Sequence, residues 1–375
     1  MYLSVNRFLS VFFLLSFVIY WLSGCVTDHI NPPISLKSAP LVPPTTSGPS
    51  GQAYAMQVGT RCFLLDQQQT FWQYDPVTRS YTARTPPPEL PNFDNSGFAA
   101  VKLFAFSSSD KIYFGGQSII AVPGTNDFPV FLYVYNPATD SWASSNPLPG
   151  NGTPYPEAQI SFFANGKGYV CSFVTEIVNG ALSNTYKVYC SEYDPGKSQW
   201  TKRFDTPLLL PPGLTYGTPS QAVVIDGKAY WVVNAYPTAK IGKSLSSEDG
   251  FACVYELNPQ TNELVLKLTT NPFGSGMAVA PYFRLGLSAA NKLWLLNEGS
   301  FDQGNPVANQ LFWYDPATNQ LNRTSVSLLI APNKSLSWSV GYAIDNHLYI
   351  GLGEYGFVNG TPAGLENGFA EFNVK

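Results

Sequence analysis

The sequence predicts an all-β fold, a six-bladed β-propeller of four-stranded antiparallel blades, on three observations. A strand–turn–strand unit recurs down the chain, most fully at Phe131-Leu132-Tyr133-Val134-Tyr135-Asn136-Pro137-Ala138-Thr139-Asp140-Ser141-Trp142. Copies follow one another at about 60 residues, near the longer propeller repeats. A column of small residues, Ala55, Ala105, Ser161, Ala222, Gly286 and Gly341, stands eight before a recurring second-strand position that is aromatic in all six units. Six equivalent strands crowding a common axis need small side chains there; separate domains do not.

Composition agrees. The 375 residues are 45% hydrophobic and 15% aromatic but only 12% charged, with 31 Gly and 31 Pro, which suits strands joined by many turns. A net charge of −4 gives no basic footprint, so nucleic acid is not an expected partner. With 2 histidines in the whole chain, histidine-based metal or triad chemistry has almost nothing to work with, and no cofactor is implied.

The first element is an address. Phe8 to Leu22 is an almost unbroken apolar run after Arg7, short for a bilayer span and suited to the core of a secretory signal. It ends in Leu22-Ser23-Gly24-Cys25, which resembles the lipobox of bacterial lipoproteins. The resemblance implies a signal peptide over residues 1–24, cleavage after Gly24 and lipidation of Cys25. The chain would then be held on the envelope membrane by that lipid. Val26 rather than Asp after the cysteine favours the outer membrane. Residues 25–50, rich in Pro, Ser and Thr, read as a tether. Within it, Ile34-Ser35-Leu36-Lys37-Ser38-Ala39-Pro40-Leu41 alternates like a strand.

Residues 51–375 carry the repeats. In the turn of each unit Pro presets φ, and the preceding Asp or Asn can bond the backbone two residues on. Tyr74 and Tyr81, Tyr135 and Trp142, Tyr193 and Trp200, Leu257 and Leu264, and Tyr314 and Leu321 stand seven apart, and a sixth copy begins at Phe372-Asn373. Upstream of each lies a second hairpin with its aromatic: Phe63, Tyr113, Tyr169, Tyr230, Trp294 and Tyr349. This arrangement resembles the kelch repeat, with unit two matching it most fully through Tyr113, Gly115-Gly116, Tyr135 and Trp142. The diglycine is absent from the other units. Kelch-fold galactose oxidases hold copper with two His and two Tyr, a set this chain lacks, so that chemistry is excluded.

Long segments are expected to gather on one face: Gln117–Val130, Thr175–Asn184, Asn234–Gly250, Asn297–Asn309 and Gly353–Gly368, with inter-blade links such as Leu208–Pro219. The opposite face has tight, nearly identical turns. Long loops on a rigid scaffold are where binding usually sits. At the channel mouth on that side the sequence places Glu157, Gln159, Ser220, Tyr282, Arg284 and Trp338 as candidate ligand-binding residues. Arg284 either clamps a ligand carboxylate or pairs with Glu157.

Three functions compete. The first is a lipid-anchored envelope propeller that binds a protein or glycan through its long-loop face. The second resembles the kelch-fold sialate mutarotases, with Glu157 as acid/base and Arg284 as carboxylate clamp. The third is a structural member of an envelope assembly. Two further expectations concern the scaffold. Cys171 and Cys190 flank a hairpin turning at Asn179-Gly180; with Val178 opposite Ala181, Cys171 faces Val188 and lies a diagonal step from Cys190, within reach of a disulfide. Ile34–Leu41 is expected to close the ring as the outer strand of blade six, beside Phe369–Val374.

Overall fold

The computed structural model describes residues 48–49, 53–88, 101–118, 130–148, 158–178, 181–240, 250–272, 282–298, 309–328, 336–337, 339–358 and 361–374. Every blade lies in one compact unit, Ser35–Lys375; a second unit, Met1–Ile34, falls outside the described residues, as do the signal-peptide, Cys25 and Ile34–Leu41 closing-strand expectations.

Blade one is β1 (Ala53–Val58), β2 (Arg61–Asp66), β3 (Phe71–Asp75) and β4 (Ser80–Arg84). Blade two is β5 (Val101–Ser107), β6 (Ile112–Ser118), β7 (Val130–Asn136) and β8 (Ser141–Ser144). Blade three is β9 (Ala158–Ala164), β10 (Lys167–Val178), β11 (Ala181–Asp194) and β12 (Gln199–Pro207). In blade four the first strand is broken into β13 (Leu214–Pro219) and β14 (Val223–Ile225), both pairing with β15 (Lys228–Pro237), followed by β16 (Phe251–Asn258) and β17 (Glu263–Thr270). Blade five is β18 (Phe283–Ala289), β19 (Lys292–Asn297), β20 (Asn309–Asp315) and β21 (Gln320–Leu328). Blade six has a split first strand, β22 (Leu336–Ser337) and β23 (Val340–Ile344), both on β24 (His347–Val358), with β25 (Thr361–Asn373) beyond. The first strands touch in sequence around an axis, and β23 meets β1, so the ring is closed. The all-β six-bladed propeller expected from the repeats is the observed fold.

The recurring unit has a local cause. Each pair seven residues apart is a directly opposed cross-strand pair: Tyr74 with Tyr81, Tyr135 with Trp142, Tyr193 with Trp200, Leu257 with Leu264, Tyr314 with Leu321. The first turn residue accepts the N–H two positions on in all five copies, from Val77 to Asp75 (2.8 Å), Ala138 to Asn136 (3.0 Å), Gly196 to Asp194 (2.9 Å), Gln260 to Asn258 (3.0 Å) and Ala317 to Asp315 (2.9 Å). The turn ends on a left-handed residue, at φ 55° in Arg79, 50° in Asp140, 52° in Ser198, 58° in Asn262 and 56° in Asn319. Asn and Asp tolerate that conformation best among residues with a Cβ.

The small-residue column sits where neighbouring first strands meet. A Cβ on Gly286 would collide with the Gln221 carbonyl of blade four, and the Ser161 hydroxyl bonds Ala105 of blade two at both its N–H (3.1 Å) and its carbonyl (2.6 Å). Between blades the core is aromatic. Phe173, Tyr216, Trp231 and Tyr255 fill the space between blades three and four, while Tyr74, Tyr342 and Phe369 join blade one to blade six.

Two expectations change. Thr175–Asn184 and Gly353–Gly368 are not loops but continue β10–β11 and β24–β25 as long hairpins on blades three and six, which lie opposite each other in the ring. The link Leu208–Pro219 likewise contains β13, paired with the extension of β15. The register of Cys171 also differs. Val178 does pair with Ala181, but an irregularity between Thr175 and Ile177 places extra residues on β11, so Phe173 faces Val188 and Cys171 faces Cys190. The two cysteines form a disulfide with Cα atoms 4.1 Å apart, and Cys62 and Cys253 are free and buried.

Candidate functional site

First strands run from the long-loop face toward the tight-turn face, so their opening residues ring the channel mouth. Second strands run the other way and end there too. The mouth is therefore assembled from strand starts and strand ends of neighbouring blades. Glu157 and Trp338 lie outside the described residues.

Blade five supplies the centre of the site. Tyr282 precedes β18 and is 37% exposed, one of the few large apolar side chains so open. Its N–H donates to Asn297 Oδ1 (2.7 Å), and its carbonyl accepts from the Glu298 N–H (3.0 Å). Arg284 is half-buried at the irregularity between Phe283 and Leu285, where the register of β18 against β19 slips. Such bulges re-aim a side chain. The Arg284 carbonyl is held by the Gln221 N–H of blade four (2.7 Å).

Side chains that the sequence reading missed tie the mouth together. The Asn234 carboxamide mimics a peptide group: Oδ1 accepts from the Phe283 N–H (2.9 Å), while Nδ2 donates to the carbonyls of Phe283 (2.9 Å) and Thr218 (2.6 Å). Glu298, 2% exposed, accepts at Oε1 from both the N–H (3.1 Å) and the hydroxyl (2.7 Å) of Ser339, bolting blade five to blade six. At the other end of the channel, near the tight turns, Gln57 bridges blades one and six, accepting from the Ala343 N–H (3.2 Å) and donating to its carbonyl (2.5 Å). The one signal in the sequence was a polar residue closing an otherwise apolar second strand, as in Trp231-Val232-Val233-Asn234 and Leu295-Leu296-Asn297-Glu298.

Of the other candidates, Gln159 stands at the mouth in blade three with Nε2 on the Ser172 hydroxyl (3.1 Å). Ser220 is 1% exposed and faces no open space. Its hydroxyl accepts from the Val232 N–H (3.0 Å) and donates to the Gln221 carbonyl (3.0 Å), patching the gap between β13 and β14. The structure thus leaves Tyr282 open at the mouth and Arg284 half-buried two residues on, and turns Ser220 to a scaffold role.

Below the mouth lies a cavity of about 310 Å³ in the channel, lined in part by Ala55, Gln57, Gly286, Ser288 and Gly341. Among the described residues no three His, Cys, Asp or Glu side chains converge as a metal would require. Several perturbed carboxyls belong to the opposite face. Burial works against the charged form of Asp140, but the Tyr135 hydroxyl (2.6 Å), the Thr85 N–H (3.1 Å) and Arg84 outweigh it and hold the carboxyl below its ordinary range. Glu256 and Asp315 are held low in the same way, against burial, by Lys228 and Tyr230 and by Lys292.

No family model and no curated protein matches this chain. Solved structures do. The GH93 α-L-arabinofuranosidase of Fusarium graminearum in complex with arabinobiose superposes with a TM-score of 0.53 at 10% identity, over 91% of this chain and 98% of that one. A protein of unknown function from Dyadobacter fermentans DSM 18053 does so with a TM-score of 0.52 at 10% identity, over 92% and 100%. At such identities the likeness is one of fold alone.

Proposed function

We propose that this chain is a lipid-anchored, kelch-like propeller of the bacterial envelope that captures a glycan at its channel mouth. The observation that carries the reading is the open ring of Tyr282 at the channel mouth, with Arg284 two residues further along the same strand start. An aromatic face suits the apolar face of a sugar ring, and guanidinium is the best fork for a carboxylate or hydroxyl pair. Two described carboxylates that close second strands at the mouth are buried and occupied, Glu298 by Ser339 and Asp66 by the Thr70 N–H and Trp72 Nε1.

A glycan array probed with the full chain in detergent tests the reading, alongside an envelope pull-down. The expected result is a restricted set of hits, with acidic saccharides among them, whose binding falls about 10- to 100-fold in Arg284→Ala and less in Arg284→Lys. An empty array with a single protein recovered in the pull-down would reject glycan capture. Chemical change in a bound saccharide would point to an enzyme instead.

A further inference from the structure

We infer that the captured glycan enters the channel by its end, and that Gln221 reads its terminal, uncharged sugar inside the axial cavity. The inference rests on the glycan capture proposed above and goes further in naming which part of the saccharide is held.

Gln221 departs from the repeat. The residues nine before the second-strand aromatic are Tyr54, Phe104, Ile160, Gln221, Leu285 and Val340. Phe104, Ile160, Leu285 and Val340 are buried and Tyr54 is half-buried, whereas Gln221 is exposed. The cause is the break in the first strand of blade four. Pro219 faces Val233 and Val223 faces Tyr230, so Ser220, Gln221 and Ala222 stand against two residues on β15. An extra residue of this kind re-aims the side chains around it. The main chain of Gln221 is nonetheless fixed. Its N–H donates to the Arg284 carbonyl (2.7 Å), and its carbonyl accepts from the Ser220 hydroxyl (3.0 Å). A pinned backbone thus presents an exposed carboxamide in the wall of the channel, one hydrogen bond away from Arg284.

The cavity at that point is one-sided. Its described walls belong to blades one, four, five and six, with Gln57, Gln221, Gly286 and Ser288 among them. Elsewhere around the axis the Tyr54 hydroxyl reaches Ala105 and Ser161, tying blade one to blades two and three. The open side is therefore the side of β18. Along it Tyr282, Arg284, Gly286 and Ser288 descend from the mouth, and the strand rise places Gly286 roughly 13 Å below Tyr282. No single sugar ring spans that distance, so a ligand that touches both is an oligosaccharide. A hole on the axis, walled by first strands, receives such a chain only by its end.

The lining says which end. At about 310 Å³ the cavity lies at the small end of ligand pockets, and none of its described lining residues is charged. A carboxylate there would lose its water and gain no counter-ion, so an acidic sugar stays beside Arg284 and the terminal one is neutral. Gln57 spends its carboxamide on Ala343 and Gly59. Sugar hydroxyls are met by Gln221, which can both donate and accept, and by Ser288, whose hydroxyl makes a long bond to the Val224 carbonyl (3.4 Å).

Two measurements on the full chain in detergent test this. Gln221→Met keeps the length of the side chain and removes its hydrogen bonds. Its melting temperature should stay within about 2 °C of the unsubstituted chain, while binding to the array hits falls about 5- to 10-fold. Unchanged binding in Gln221→Met, to hits that Arg284→Ala loses, means that the saccharide lies across the mouth and overturns end-on capture. Hits that carry a carboxylate on the terminal sugar overturn it as well. An empty array rejects glycan capture itself, and this inference with it. Separately, Ser288→Cys is treated with a methanethiosulfonate bearing one glucose ring, against a background in which Cys62 and Cys253 are buried. Intact mass should show one glucose adduct more than in the unsubstituted chain. No added adduct, even where the smaller methyl reagent reacts, shows a cavity closed to a sugar ring and overturns the inference.

Discussion

The two faces of this propeller are built on different principles. On the tight-turn face one solution is used five times: an Asx side chain closes the turn and a left-handed residue ends it, which in two copies a Tyr hydroxyl reaches. Tyr135 donates to Asp140 Oδ1 at 2.6 Å and Tyr314 to Asn319 Oδ1 at 2.7 Å. At the mouth the described bridges are single-use; blade four holds blade five with an asparagine, and blade five holds blade six with a glutamate. A repeated local device gives a uniform floor, and single-use bridges give a mouth with one distinctive chemistry. The difference teaches that repetition here serves stability while departure from the repeat marks the candidate site.

Perturbing the shared axis should hurt most. Gly286→Val drives a side chain into the blade-four backbone at Gln221, with an expected loss of about 3 kcal/mol in denaturant unfolding. Asn234→Ala strands the Phe283 N–H and two carbonyls and should cost about 2 kcal/mol. The turns should give smaller and nearly equal losses: Asn136→Ala and Asp315→Ala each about 1 kcal/mol, with Asn136→Asp close to neutral. Widely unequal values would break the idea of an interchangeable floor.

Acid should act on that floor first. Asp140, Glu256 and Asp315 have folded pKa values below their unfolded ones. Their contribution is complete above the ordinary carboxylate range, about pH 4, and is lost as pH falls through the lower folded values. Melting temperature should therefore drop between about pH 4 and pH 2, and less steeply in Asp140→Asn. The smallest effect on stability belongs to the mouth. Arg284→Ala should change unfolding by about 0.5 kcal/mol or less while abolishing most glycan binding. A large stability loss would recast Arg284 as scaffold.

What could be read in the chain beforehand follows the same division. By itself the sequence determined the blades, because the interactions that make them are local: a Pro and an Asx two residues from their partner, an opposed pair seven apart, a small residue at a constant offset. The mouth was only partly legible. Tyr282 and Arg284 were found from their offset in the repeat, but Asn234 and Glu298 were not, since each answers to a partner 49 or 41 residues away with no spacing rule between them. Ser220 shared the offset of Arg284 yet was diverted to mend a broken strand, and a slip in the blade-three hairpin moved Cys171 from a diagonal to a direct partner. Only the tertiary structure decided these, because which side chain replaces a missing backbone partner depends on how two blades meet, and the gap exists only once they have met.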